Sequence, residues 1–214
     1  MDLDQVDTAF GSLPYMTRKQ ANRLRDLIRN NNACDILELG FFHGKSSAYI
    51  AAILEERGTE GHLTTVDLTG ARNRAPNING ILAQLHLTSR VTPLFAHRSY
   101  TWELQTMLRA RPRPMFDLCY IDGGHTWDVT ALGAFLVDRL MRPGGLIVLD
   151  DLDWSIANSP AFEKSASLRA PFSKDEQQAR PVRIVWEEIM PDLGYDHFAE
   201  HPDLGWAIAR KRKG

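Results

Sequence analysis

The stretch Ile36-Leu37-Glu38-Leu39-Gly40-Phe41-Phe42-His43-Gly44-Lys45-Ser46-Ser47 carries the reading of the whole chain. Residues 36–39 form a short apolar run suited to a buried strand, Gly40 permits a tight turn, and Ser46 and Ser47 open a helical pattern. A strand that turns through glycine into a helix presents backbone N–H groups at the helix N-terminus. That geometry suits an anionic group.

The pattern of this first strand recurs along the chain. Apolar β-like runs at residues 35–39, 61–67, 90–95, 116–121 and 146–149 alternate with helical segments. The helical spacing is visible in Ile50, Ile53 and Leu54, in Ile78, Ile81, Leu82 and Leu85, and in Leu132, Phe135, Leu136 and Leu140. Alternation of strand and helix predicts an α/β fold, with a parallel sheet and helices on both faces. Before it, Thr17 with Gln20 three residues on reads as a capping box opening a helix that buries Ala21, Leu24, Leu27 and Ile28. After Asp151 the pattern breaks, and residues 152–180 read as a long loop, a length that usually marks function. Pro181 then opens a helix carrying Val185, Ile189 and Met190, and residues 195–200 and 205–211 read as two closing antiparallel strands.

The composition narrows the class. With 214 residues, one domain spanning 1–214 buries roughly 70% of its unfolded surface and needs no staples. Residues 1–32 form its N-terminal helical segment. The 25 basic and 27 acidic side chains nearly cancel, which argues against nucleic acid or an anionic membrane as partner and favours a small molecule. Cys34 and Cys119 lie beside strand-like runs and are expected as packed thiols, so a reducing cytoplasm is the expected compartment. No run is long and apolar enough to suggest a membrane span, and the N-terminus lacks a signal-peptide profile. The basic run Arg210, Lys211, Arg212, Lys213 reads as a solvated chain end.

Two ligand classes use a glycine turn of this kind. Gly44-Lys45-Ser46 resembles the end of a Walker A loop and residues 146–150 a Walker B strand, which would mean a nucleotide triphosphate. Walker A requires four residues between its glycines, and only three separate Gly40 from Gly44. Glu38 would also bring negative charge toward the phosphates, whereas it suits a cofactor bearing an ammonium and a sulfonium. The dinucleotide pattern fails too, because Phe42 stands where its second glycine belongs. S-adenosylmethionine is the expected cofactor. Asp67, ending the second strand, is placed for a ribose at the carboxyl edge of the sheet.

Glu38-Leu39-Gly40 with Gly44 and Ser46, then Asp67, Asp122, Pro143-Gly144-Gly145 and Asp150-Asp151, together resemble class I S-adenosylmethionine-dependent methyltransferases. Within that class the chain resembles the small metal-dependent O-methyltransferases, such as catechol O-methyltransferase, and the macrocin-type sugar O-methyltransferases. The resemblance implies a Rossmann-like, doubly wound seven-stranded sheet whose last strand is antiparallel. It implies that Gly40, Phe41 and Gly44 border the methionine moiety, that Ser46 bonds its carboxylate, that Asp67 holds the ribose, and that His97, Arg98 and Ser99 lie near the adenine. A homodimer through the N-terminal helix is a further implication.

Asp122 ends the fourth strand, and Asp150 and Asp151 end the fifth, so neighbouring strands would bring three carboxylates to one cleft. Like charges so close raise one another's pKa unless a cation or hydrogen bonds relieve them. Oxygen donors favour Mg²⁺, and the metal-dependent relatives place acidic or amide ligands at these positions. His125 stands where catechol O-methyltransferase carries its catalytic lysine and is the candidate general base, with Asp122 beside it. Trp154 and Trp127 are candidate walls for the acceptor, and 152–180 a candidate lid. The expected activity is Mg²⁺-assisted O-methylation of a small hydroxylated molecule. Alternatives are a metal-independent N- or C-methyltransferase, a P-loop-like nucleotide-binding protein, and a cofactor-binding protein without turnover.

Overall fold

The computed structural model describes residues 1–58 and 60–213. Strands β1 (Asp35–Leu39), β2 (His62–Leu68), β3 (Val91–Ala96), β4 (Phe116–Ile121), β5 (Met141–Leu149), β6 (Tyr195–His201) and β7 (Trp206–Lys211) form one sheet in the order β3-β2-β1-β4-β5-β7-β6. β7 runs antiparallel to both neighbours, and the pairs among β1 to β5 are parallel. This is the doubly wound arrangement expected, with one feature the sequence did not suggest: β7 is inserted between β5 and β6.

Strand alternation divides the core in two. Ile36, Leu118, Tyr120, Leu146, Val148, Trp206 and Ile208 face one side, against α1 (Leu3–Phe10), α2 (Arg18–Asn30), α3 (Lys45–Glu56) and α4 (Ile78–Gln84). Leu37, Leu39, Cys119, Ile121, Ile147 and Leu149 face the other, against α5 (Tyr100–Arg109), α6 (Trp127–Asp138) and the helix that begins at Pro181. Successive side chains of a strand point to opposite faces, so near-continuous apolar runs follow from burial on both. α2 opens with the expected Thr17–Gln20 capping box and buries Ala21, Leu24, Leu27 and Ile28. α1 has a capping box of its own, Asp2 with Gln5, and docks Leu3, Val6 and Phe10 into the core.

Residues 152–180 are not a structureless loop. They carry a 3₁₀ turn (Ile156–Asn158) and the short helices α7 (Pro160–Glu163), α8 (Ala166–Arg169) and α9 (Lys174–Gln178), several with a serine cap. The helix opened by Pro181 runs as α10 (Pro181–Ile184), a π segment at Val185–Ile189 and α11 (Met190–Asp192). The basic run near the C-terminus is tied down: Arg210 bonds Gly144 and Asn31, Lys211 pairs with Asp138, and Arg212 with Asp196. Both cysteines are free, Cys119 fully buried. Among the described residues no helix is long and apolar enough to cross a membrane.

Candidate active site

Register brings the candidate residues to one level. Leu39 is paired with Val66 and with Ile121, and Ile121 with Leu149, so Gly40, Asp67, Asp122 and Asp150 follow side by side at the carboxyl edge. The direction of winding reverses between β1 and β4, where such folds bind ligands. At that point the chains nearly touch: a Cβ on residue 40 would lie 2.2 Å from the Asp122 carbonyl oxygen, and Gly40 has φ +94. Only glycine meets both demands.

The cleft above this edge has a volume of about 490 Å³ and is lined by Gly40, Phe41, Ser46, Asp67, Asp122, His125, Asp151 and Trp154. Its size lies within the roughly 300–1,000 Å³ of small-molecule sites. Asp67 organises the turn: its Oδ2 accepts from the backbone N–H of Phe41 (2.9 Å) and Phe42 (2.6 Å), and its Oδ1 from Leu68 (2.6 Å). A carboxylate has about four lone-pair sites, so with two taken on Oδ2 and one on Oδ1, Oδ1 keeps room for one ribose hydroxyl. Gly44 caps α3 without a side chain, so among the described residues the start of the helix has no side-chain cap.

Other expected residues stand elsewhere. Glu38 lies beneath the turn, fully buried, where its Oε2 accepts from the hydroxyls of Thr65 (2.6 Å) and Ser47. Burial pushes its carboxyl up to about 7, against the hydrogen bonds of Ser46, Ser47 and Thr65. It supports the loop from below and does not line the cleft. Gly44 packs on Ile78. Ser99 caps α5 by accepting from Thr101 N, and His97 is exposed; neither lines the cleft. Trp127 is exposed at the start of α6, whereas Trp154 is the tryptophan in the cleft wall.

The carboxylates separate into two roles. Asp150 is buried, with Oδ2 accepting from the Tyr120 hydroxyl and Oδ1 from Asp151 N (2.7 Å). Burial, then Asp151, push its carboxyl up to about 6, with Tyr120 and Trp206 opposing. The same Tyr120 hydroxyl lies 3.2 Å from Asp122 Oδ2. One phenolic proton cannot fully satisfy two carboxylates. Asp122 is raised well above the ordinary carboxylate value, first by burial and then by Asp150 and Asp151. The group that converges in the cleft is therefore Asp122, His125 and Asp151, whose donor atoms lie within 4.8 Å of one another. Asp151, whose backbone is left-handed at φ 56, lines the cleft, while Asp150 accepts from Tyr120. His125 Nε2 is 3.5 Å from Asp151 Oδ2, too long for a good hydrogen bond, and is buried without a hydrogen-bond partner among the described residues. Burial depresses the imidazolium, and Asp151 opposes that shift.

The sequence reading missed one wall. Pro14, Tyr15 and Met16 reach the cleft from the link between α1 and α2, and Lys45 lines it from α3. A proline and an aromatic just ahead of a capping box were the only local signal.

Residues 37–152 match the family described as a methyltransferase domain. The chain belongs to this methyltransferase family. It is a class I S-adenosylmethionine-dependent methyltransferase, as the motifs around Gly40 and Asp67 implied. Comparison with curated protein sequences finds no match. Among solved structures the methyltransferase is similar to the O-methyltransferase from Bacillus cereus in complex with SAH, at 20% identity and TM-score 0.69, over 99% of this chain and 90% of that one. It is also similar to the O-methyltransferase TomG from Streptomyces achromogenes, involved in tomaymycin synthesis and in complex with SAM (21% identity, TM-score 0.68, 98% and 87% coverage). A third relative in fold is the SAH-bound Podospora anserina methyltransferase PaMTH1 (17%, TM-score 0.68, 99% and 87%).

Proposed function

We propose that this methyltransferase acts on a hydroxyl oxygen of a small acceptor, with a divalent cation, Mg²⁺ first among them, held by Asp122 and Asp151 and with His125 taking the acceptor proton. The unpartnered Nε2 of His125, facing Asp151 in the cleft that Gly40 and Asp67 also line, carries this reading. S-adenosylmethionine supplies a methyl group on a sulfonium, which a correctly aligned oxygen displaces directly. A bound cation would lower the hydroxyl's pKa by stabilising its oxyanion.

The residues present fit both groups. Two converging carboxylates, an exposed Asp151 beside an Asp122 raised by burial and then by its acidic neighbours, are what a divalent ion relieves. Asp150, hydrogen-bonded to Tyr120 and to Asp151 N, fixes the backbone from which Asp151 projects. Depressed by burial, His125 is neutral near pH 7 and offers a lone pair to a proton. Trp154, its ring centroid 5.4 Å from that of His125, gives the acceptor an apolar wall.

A second reading makes His125 a third ligand, since a ring nitrogen lies within 4.8 Å of both carboxylates' ligand atoms. A mixed nitrogen and oxygen set would favour Mn²⁺, Fe²⁺ or Zn²⁺ over Mg²⁺. Metal titration of wild type and His125→Gln separates the two: a base leaves metal affinity in place, a ligand does not. The primary test is calorimetric titration with S-adenosylhomocysteine, followed by a screen of hydroxylated small molecules with and without chelator. Chelator-insensitive transfer to nitrogen or carbon would overturn the oxygen and metal assignment. A wild type that binds no S-adenosylhomocysteine would remove its basis.

A further inference from the structure

Lys45 occupies the first position of α3 and is only 6% exposed. Electrostatics disfavours a lysine there, because the helix N-terminus already carries partial positive charge. Burial pushes its ammonium below the ordinary value, with Asp7 opposing through space. What offsets this cost is the carbonyl oxygens of Gly11, at 3.3 Å, and Leu13, to both of which Nζ donates. Both belong to the link between α1 and α2, more than thirty residues earlier in the chain.

That link is fixed at both ends. On one side α1 is held through Asp7, which accepts from Tyr49 and Arg18. On the other, Met16 is buried in the core. Between these points Pro14 and Tyr15 cross the cleft and line it together with Gly40, Phe41 and Asp67. Tyr15 is 68% exposed, has φ 61 and meets Phe42 edge-on with centroids 4.9 Å apart. An aromatic side chain held at a ligand cleft by a strained backbone, and still largely exposed, is a wall lacking the surface it packs on.

We propose that Lys45 is a positioning residue that straps residues 11–16 across the cleft, so that Pro14 and Tyr15 close over the bound cofactor. This rests on the cofactor assignment above, and deepens it by naming the element that completes the pocket. Lys45 acts through the two carbonyls it grips and not by touching the reacting atoms.

Amide hydrogen exchange on the full chain, with and without S-adenosylhomocysteine, tests this in wild type, Lys45→Met and Lys45→Arg, alongside calorimetric titration of each. In wild type, the ligand slows exchange at residues 11–16. In Lys45→Met, exchange at 11–16 quickens and the dissociation constant rises, each by about tenfold, the usual worth of a charged hydrogen bond. Lys45→Arg, which can still donate to both carbonyls, recovers most of each. Weaker binding with unchanged exchange at 11–16 would make Lys45 a direct ligand contact and overturn the strap. Unchanged binding in a folded Lys45→Met would overturn it too. If that variant fails to fold, a wild type that binds the ligand without slowing exchange at 11–16 still overturns it. A wild type that binds nothing fails the cofactor assignment instead, which distinguishes the two.

Discussion

Replacing Glu38 by glutamine isolates the energetics of one buried carboxyl. Burial raises its folded-state pKa from the ordinary 4.5 to about 7, against the hydrogen bonds of Ser46, Ser47 and Thr65. A carboxyl whose pKa rises on folding takes up a proton as the chain folds. Its contribution to stability is therefore fully present below about 4.5 and is lost as the pH climbs through about 7. At about 1.4 kcal/mol per pH unit the whole displacement is worth roughly 3 kcal/mol, most of which falls between pH 5 and pH 8. Glutamine keeps an oxygen for Ser47 and Thr65 but has no proton to lose. Urea unfolding across that pH range should show wild type losing about 2–3 kcal/mol relative to Glu38→Gln as the pH rises. Asp150 titrates in both proteins and largely cancels in the difference, whereas Asp122, which the Glu38 charge helps to raise, is eased in Glu38→Gln. Stability curves that stay parallel would refute a buried, proton-binding Glu38, and curves that diverge the other way would mean a carboxylate stabilised by its hydroxyl partners.

Asp67→Ala should weaken S-adenosylhomocysteine binding by about 10- to 100-fold in calorimetry, the range expected when a buried polar contact is lost. Gly40→Ala puts a methyl group 2.2 Å from the Asp122 carbonyl at φ +94. The backbone strain alone costs about 1–3 kcal/mol, so its thermal midpoint should fall well below that of wild type, and an unchanged midpoint would refute the close approach. Because burial depresses His125 and the neutral imidazole is the competent base, kcat/KM should rise with pH through an inflection below 6.5. His125→Gln should abolish that inflection and cost about 10²- to 10⁴-fold in rate.

Much of this architecture was legible because local and global demands agree in it. In β1 one apolar run serves two faces of a sheet, Ile36 on one and Leu37 on the other, so pattern and burial coincide. The Thr17–Gln20 box likewise acts within its own turn. What the sequence concealed depends on distant partners or on single dihedrals. Asp150 and Asp151 are chemically alike, and composition does not tell that one lines the cleft, from a left-handed backbone, while the other accepts from Tyr120. Glu38 was legible as important, but its hydroxyl partners on α3 and β2 make it a buried support. Lys45 bonds two backbone carbonyls, which carry no residue-specific signal. The helical turns within 152–180 are each too short to show periodicity, although Ser155, Ser165 and Ser173 cap them.

The insertion of β7 between β5 and β6 bears on the order in which the chain can be assembled. β6 is synthesised first but can join the sheet only through a strand made after it. Until residues 206–211 emerge, β5 is an open edge with its backbone groups unpaired, a template for a strand from another molecule. The same late strand supplies Trp206 beside Asp150, and the turn before it bonds Leu152 through Gly205 O at 3.0 Å. A nascent chain halted just short of Trp206 would thus carry every cleft residue named above, yet lack both the backing of its acidic corner and the protection of its sheet edge.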